Sequence, residues 1–165
     1  MDVKYYRMRE GQEQLVADLI LGLIADYGTK FISKLTPESL KASAGFLNVE
    51  VAELDGEIIG ICAWVMTFSS WRGTRGIYLA DHFVTSQASK RGVARELLLF
   101  AATNAAELGA TFIRTEVDVS DEAAETLYSN IGFWVQPRHM LAFLEADKFA
   151  AFVSGPADKL MPHSA

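Results

Sequence analysis

The sequence holds one cysteine in 165 residues, Cys62, which excludes an intramolecular disulfide. Cys62 lies inside the apolar run IIGICAWVM and reads as a buried strand residue rather than a reactive thiol, because free cysteine is among the most buried side chains. Basic residues are also short: 15 Lys and Arg stand against 21 Asp and Glu, a net charge of −6. That balance speaks against a general nucleic-acid binder, which needs a broad basic surface. No apolar run approaches the roughly 20 residues needed to cross a bilayer. The opening MDVKYYRMRE is too charged for a signal peptide. The expectation is a soluble cytoplasmic protein that binds neither nucleic acid nor membrane. Internal repeats, linkers and low-complexity segments are missing, as are metal-ligand spacings, a nucleophile triad and a Gly-rich loop after the first strand. What remains is a globular composition, half hydrophobic and 22% charged, long enough for one domain with a real core.

The order of elements follows from periodicity. VKYYRM reads as a strand, and Leu15, Leu19 and Leu23 at i+4 spacing, flanked by Val16, Ile20 and Ile24, form a helical stripe. TPESLKASAG starts a second helix, with Thr36 as cap and Pro37 at the first helical position. NVEVAEL and EIIGICAWVM are strands joined at Asp55-Gly56, a hairpin signal. RGIYLADHFVT is the next strand. A helix over 93–108 stops at Gly109, with Leu97, Leu98, Ala101 and Ala105 on one face. TFIRTEVDV, SDEAAETLYSNI and HMLAFLE read as strand, acidic-capped helix and closing strand. The order β α α β β β α β α β describes a mixed α/β domain, with antiparallel meanders and one parallel crossover. It is expected to span 1–153, with 154–165 a frayed tail.

One local feature runs against the net charge. Lys90, Arg91 and Arg95 cluster with Gly92 where the 93–108 helix begins. Cations are the less favoured sign at a helix N-terminus, whose free N–H groups carry positive partial charge. A bound anion would make the arrangement favourable, whereas a solvated loop is the plainer alternative.

The hexad Ser89-Lys90-Arg91-Gly92-Val93-Ala94, followed by Leu97-Leu98, resembles the phosphate loop of the GNAT superfamily of acetyl-CoA-dependent N-acetyltransferases. Ser89 departs from the Gln or Arg usual at its first position. VDVSDEAAETLYSNIGF resembles the family's strand-to-helix block, with Tyr128 followed by Gly132-Phe133. SSWRGTRGIYLADHFV is further similar to spermidine/spermine (diamine) and thialysine acetyltransferases, through Trp71, Gly73, Tyr78, Leu79, Asp81, Phe83 and Val84. Their glutamate is replaced by Ala80 here.

The resemblance implies a GNAT fold and acetyl-CoA as cosubstrate, with no metal. It implies that backbone N–H groups at Gly92, Val93 and Ala94 cradle the pyrophosphate, with Lys90, Arg91 and Arg95 as countercharge. The pantetheine arm would lie as an added strand against the backbone of His82, Phe83 and Val84. Tyr128 would protonate the departing thiolate; its alternative is a core aromatic sharing a stripe with Ala124 and Ile131. Asp121, where relatives often carry a cofactor-contacting asparagine, reads foremost as a helix cap, and Ala124 would flank the cofactor.

The acceptor implied is a small-molecule primary amine, attacking directly in a ternary complex, near Tyr27, Trp71, Ala80 and Asp81. A non-catalytic acyl-CoA-binding module on the same fold is the alternative. Ala80, and Gly28 after Tyr27, stand where polyamine-acetylating relatives carry acids, which lowers the field for a polycation. Strict alternation puts His82 on the face of Ala80 and makes it a candidate proton acceptor, beside the plainer reading of a hydrogen-bonded strand histidine. Asp81, in an apolar row, reads first as a structural carboxylate. Relatives are often dimers, so a homodimer is expected.

Overall fold

Alternating apolar residues and one left-handed turn set the centre of the sheet. The computed structural model describes residues 2–26, 32–86, 88, 91–136 and 146–154. Strand β1 (Lys4–Arg7) is followed by helices α1 (Glu13–Asp26) and α2 (Pro37–Ala42), then β2 (Leu47–Leu54) and β3 (Glu57–Ser69). Asp55 and Gly56 join the last two at φ 52° and 88°, the paired left-handed geometry that suits a two-residue hairpin. Strand β4 (Thr74–Val84), helix α3 (Val93–Glu107), strand β5 (Ala110–Arg114) and helices α4 (Glu122–Ile131) and α5 (Ala146–Val153) complete the described chain. The sheet order is β1-β2-β3-β4-β5. All pairs are antiparallel except β4 with β5, the parallel pair bridged by α3.

The sequence expectation of a mixed α/β fold in this order holds through α4. The expected closing strand at 139–145 lies outside the described residues, and α5 had no sequence reading. The fifth strand ends at Arg114, earlier than TFIRTEVDV suggests. Thr36 caps α2 as expected, with Ser39 rather than an acid returning the second bond of the capping box. No described helix is long and apolar enough to cross a membrane.

The chain divides into two units, 1–127 and 128–165. In the first, α1 and α2 cover one face of the sheet, where Val16, Ile20 and Leu40 join Val49, Val51, Ile61 and Ala63, with Phe83 packed against them. Helix α3 covers the other face, burying Val93, Leu97, Leu98, Ala101 and Ala105. In the second, the end of α4 closes through Gly132 at φ 106°, whose N–H donates to the Tyr128 carbonyl, as does that of Phe133. Helix α5 follows in the same unit.

Gly60 sets how closely α3 approaches. A Cβ there would stand 2.7 Å from Val84 Cγ1, 3.0 Å from the Phe83 carbonyl oxygen and 3.4 Å from Leu97 Cδ2. Gly60→Ala should therefore lower stability by about 1–3 kcal/mol through overpacking. A chemical-denaturation midpoint equal to wild type would show that β3, β4 and α3 are not in such close contact.

Candidate active site

Strand β4 is paired differently along its two edges. Against β3 its register runs from Ser69↔Thr74 to Gly60↔Val84, the whole strand. Against β5 it ends at Tyr78↔Arg114. There the Thr115 hydroxyl donates to the Leu79 carbonyl at 3.1 Å, and the chain turns away through Asp118, whose carboxylate accepts from Ser120. Beyond Arg114 no further β4–β5 pair forms among the described residues, while β4 runs on to Val84, and we call this end of the β4 edge the wedge. An extended ligand can add to such an edge by main-chain hydrogen bonds.

The helix that follows β4 starts at this end of the sheet. Gly92 is the N-cap of α3, at φ 75°, and makes no side-chain cap bond. Among the described residues a Cβ built on Gly92 would meet nothing within 4 Å, which leaves the backbone there open to an approaching group on their side. The first-turn N–H groups of a helix need acceptors, and phosphate oxygens supply them. Arg91 and Arg95 are exposed, as is Gly92, while Val93 is buried and Ala94 half-buried. Arg95 shares its charge with Glu96 at 2.9 Å. Lys90 and Ser89 lie outside the described residues. These features fit a pyrophosphate at the loop. A cavity of about 710 Å³ adjoins the same loop from the β1 side, and among the described residues its lining includes Asp55, Glu57 and Arg91.

The acceptor-side expectations need correcting. Residues Ala63↔Asp81 and Trp64↔Leu79 are successive pairs, so Ala80 is an extra residue, a β-bulge. The bulge shifts the alternation that the sequence reading assumed. Beyond it His82 shares a face with Leu79, not with Ala80, and its Nε2 lies 3.0 Å from the Ala94 carbonyl oxygen in α3. A carbonyl only accepts, so Nε2 carries the proton. His82 thus faces α3 and not the side that strict alternation gave it with Ala80. Burial lowers its pKa, against a smaller raising effect of the Ala94 bond.

Asp81, opposite Ala63, turns to the face of Tyr78, which stands opposite Val65. Burial raises the Asp81 carboxyl above its ordinary value. Burial also raises the Tyr78 phenol, followed by the carboxylate of Glu116 and, more weakly, that of Asp81. The Arg114 guanidinium lies 5.6 Å from the Tyr78 ring centre. Glu116 reads from sequence as part of a strand; its position just past the last β4–β5 pair is what marks it. Trp71 is not brought to this group. It sits 98% exposed beyond the start of β4, and the seven strand steps from Thr74 to Asp81 span about 23 Å. Tyr27 lies outside the described residues.

Asp121 is a helix cap, as expected: its carboxylate accepts from the Ala124 N–H at 2.9 Å. Ala124 is half-buried in α4. In the second unit Tyr128 is 8% exposed, its ring centre 4.9 Å from that of Phe133. The Cys62 thiol is pushed up by burial, with Glu50 and Asp81 adding to the shift, which makes it inert as a nucleophile.

A fold with this sheet, this wedge and this helix start is that of acyl-CoA-using acetyltransferases. The Acetyltransferase (GNAT) family model matches residues 16–133, and the chain belongs to that family. It is 30% identical over 78 residues to a D-amino-acid N-acetyltransferase of Saccharomyces cerevisiae, a match covering 47% of this chain and 48% of that protein. The matched stretch thus spans about half the length of that relative. An aminoglycoside acetyltransferase from an uncultured soil metagenomic sample, solved with sisomicin, superposes with a TM-score of 0.73 at 20% identity, covering 87% of this chain and 97% of that one. A protein of Clostridium acetobutylicum described as a predicted acetyltransferase, solved with acetyl-CoA, gives 0.72 at 16% identity, with 87% and 97% covered. At these identities the structural likeness concerns the fold.

Proposed function

We propose that the protein is an acetyl-CoA-dependent N-acetyltransferase whose acceptor is a small primary amine of low charge. The observation that carries this reading is the early end of β4–β5 pairing at Tyr78↔Arg114, at the sheet end from which the glycine-capped α3 departs. Acetyl-CoA, when bound, supplies an activated acetyl thioester. The α3 N-terminus, with Lys90, Arg91 and Arg95, would hold the pyrophosphate, and the backbone around His82, Phe83 and Val84 would align the pantetheine arm. Main-chain N–H groups on that wall would stabilise negative charge at the reacting carbonyl. Asp81 and Glu116 would take the proton that an ammonium must lose before its nitrogen forms the new bond to the acetyl carbon. As the carbon–sulfur bond breaks, the Tyr128 phenol would pass its proton to the sulfur. The same reading carries a single domain over 1–153 and a cytoplasmic homodimer.

The narrower likeness to polyamine acetyltransferases is set aside for the acceptor, because Ala80 and Gly28 stand where those enzymes have acids. The D-amino-acid activity named for the yeast relative makes amino acids the first acceptors to try. With kcat/KM measured for amino acids, simple amines and spermidine, the low-charge amines should exceed spermidine by at least about tenfold, the yield of roughly 1.4 kcal/mol of differential binding. Preference for spermidine would overturn the substrate reading. The pH profile adds a check on Asp81. A carboxylate must be ionised to accept a proton, and burial moves this one upward. The acidic limb of kcat/KM should therefore lie above the usual carboxylate range of about 4 and change in Asp81→Asn. An identical limb in both proteins would return Asp81 to a structural role.

A further inference from the structure

The α3-facing side of the sheet carries a row of polar residues that an apolar interface does not need. Arg7 pairs with Glu50, Glu50 with Cys62, and Cys62 with His82, straight across β1 to β4. Glu50 is fully buried, its Oε1 3.4 Å from the Arg7 guanidinium and its Oε2 without a hydrogen-bond partner among the described residues. At the β4 end of this row the His82 imidazole reaches the Ala94 carbonyl. A leucine-sized apolar residue would fill that position without the cost of burying an imidazole. The bond must therefore do something that packing does not.

Its position suggests what. Ala94 is the second residue of α3, after Gly92 as N-cap. Its carbonyl already faces along the helix toward the Leu98 N–H, and a carbonyl oxygen has a second lone pair to offer. His82 uses it from the strand that forms the wall of the wedge. The imidazole thus spans the two parts that would grip opposite ends of one ligand: the helix start and the parted strand. Phe83, next in sequence, packs to the other face against the α1–α2 core and holds the strand from behind. A bulge at Ala80 is what turns His82 toward α3 at all.

We propose that His82 is a positioning residue for the cofactor, donating from Nε2 to the Ala94 carbonyl to fix the first turn of α3 against β4. The inference rests on the acetyl-CoA reading above. It makes His82 act through the helix, with no part in moving the amine proton. Loss of the bond leaves the first-turn N–H groups less well aimed, so cofactor affinity falls while the acceptor side is untouched.

The test uses His82→Leu, which keeps apolar volume and removes the donor, and His82→Gln, whose amide can donate to the same carbonyl. Coenzyme A binding is measured by calorimetry, KM for acetyl-CoA and for the amine by initial rates, and the melting temperature without ligand. His82→Leu should raise Kd for coenzyme A and KM for acetyl-CoA by about fivefold, the size of one hydrogen bond's net contribution. KM for the amine and kcat should stay within about twofold, and His82→Gln should recover most of the affinity. Wild-type affinity in His82→Leu, with only a lower melting temperature, would overturn the proposal in favour of packing. Equal losses in both variants would overturn it in favour of shape alone. A fall in kcat with a changed acidic limb, at unchanged affinity, would overturn it in favour of a proton acceptor. Coenzyme A failing to bind the wild type would instead remove the acetyl-CoA reading itself.

Discussion

Gly92→Asp should abolish coenzyme A binding, raising Kd by about 10²-fold or more, while the protein remains folded. The size of the effect comes from charge. A carboxylate at the N-cap would meet the pyrophosphate where the helix start and its cations otherwise attract it, exchanging a charge-assisted contact for repulsion. The conformational part is small. Gly92 lies at φ 75°, where aspartate is among the better-tolerated residues, and a Cβ there meets no atom of the described residues within 4 Å. The left-handed conformation should cost about 1–2 kcal/mol, which leaves the protein folded. Circular dichroism and calorimetry on the same sample separate the two effects. A variant that binds coenzyme A as wild type does would show that the α3 N-terminus is not the phosphate site. Gly92→Ala makes the control, since it strains φ without adding charge. Its affinity should lie between the two.

Tyr128→Phe should lower turnover by about 10²-fold, within the range that a positioned general acid contributes. The thiol of coenzyme A titrates near that of free cysteine, at about 8.5, and a phenol near 10 can protonate its conjugate base only if already bonded to it. Removing one oxygen leaves the ring, its contact with Phe133 and the Tyr128 carbonyl that caps α4 unchanged. Binding of coenzyme A should therefore change little, and stability should stay within about 1 kcal/mol. Unchanged turnover, with a solvent isotope effect showing proton transfer to be rate-limiting, would leave Tyr128 as a core aromatic. If instead both kcat and affinity fell together, the hydroxyl would serve to hold the cofactor rather than to protonate its thiolate alone.

Much of the frame was legible in the chain because its signals are local. Asp55-Gly56 fixed the β2–β3 hairpin, Thr36-Pro37 the start of α2, and the Leu97–Leu98–Ala101–Ala105 stripe the buried face of α3. The join at Lys90–Arg95 was also visible, since three cations at a helix start are anomalous under the dipole alone. The acceptor side was not legible in the same way. Its reading assumed that side chains alternate without interruption along RGIYLADHFVT. One inserted residue at Ala80 moves every residue after it to the other face, and nothing in the residue types announces that insertion. His82 consequently faces α3 and Asp81 joins Tyr78, the reverse of the alternation expected. Glu50 was obscured for a related reason. In NVEVAEL a charged residue between valines reads as solvent-facing, yet the face it occupies is the one that α3 covers. Whether a strand's polar face is wet depends on a helix 43 positions further on, the span from Glu50 to the α3 start at Val93, and that is tertiary information.

Glu116 marks a different limit. Its side chain matters because β5 ends two residues before it, so that a carboxylate continuing the strand's direction comes beside Tyr78 at the mouth of the wedge. Strand propensity is as good for TEV as for FIR, and only the parting of β4 from β5 separates them. The parting is therefore both the least legible feature of the sequence and the one on which the functional reading depends.

The most direct test of that reading is a thiol-release assay with acetyl-CoA on the full chain, run against amino acids, simple primary amines, aminoglycosides, polyamines and peptide N-termini. Amine-dependent release of free coenzyme A, one thiol for each acetylated amine found by mass spectrometry, is the result the account predicts. Saturable binding of acetyl-CoA with no release above the amine-free rate for any acceptor class would contradict it, and would make the fold a cofactor-binding module without transfer.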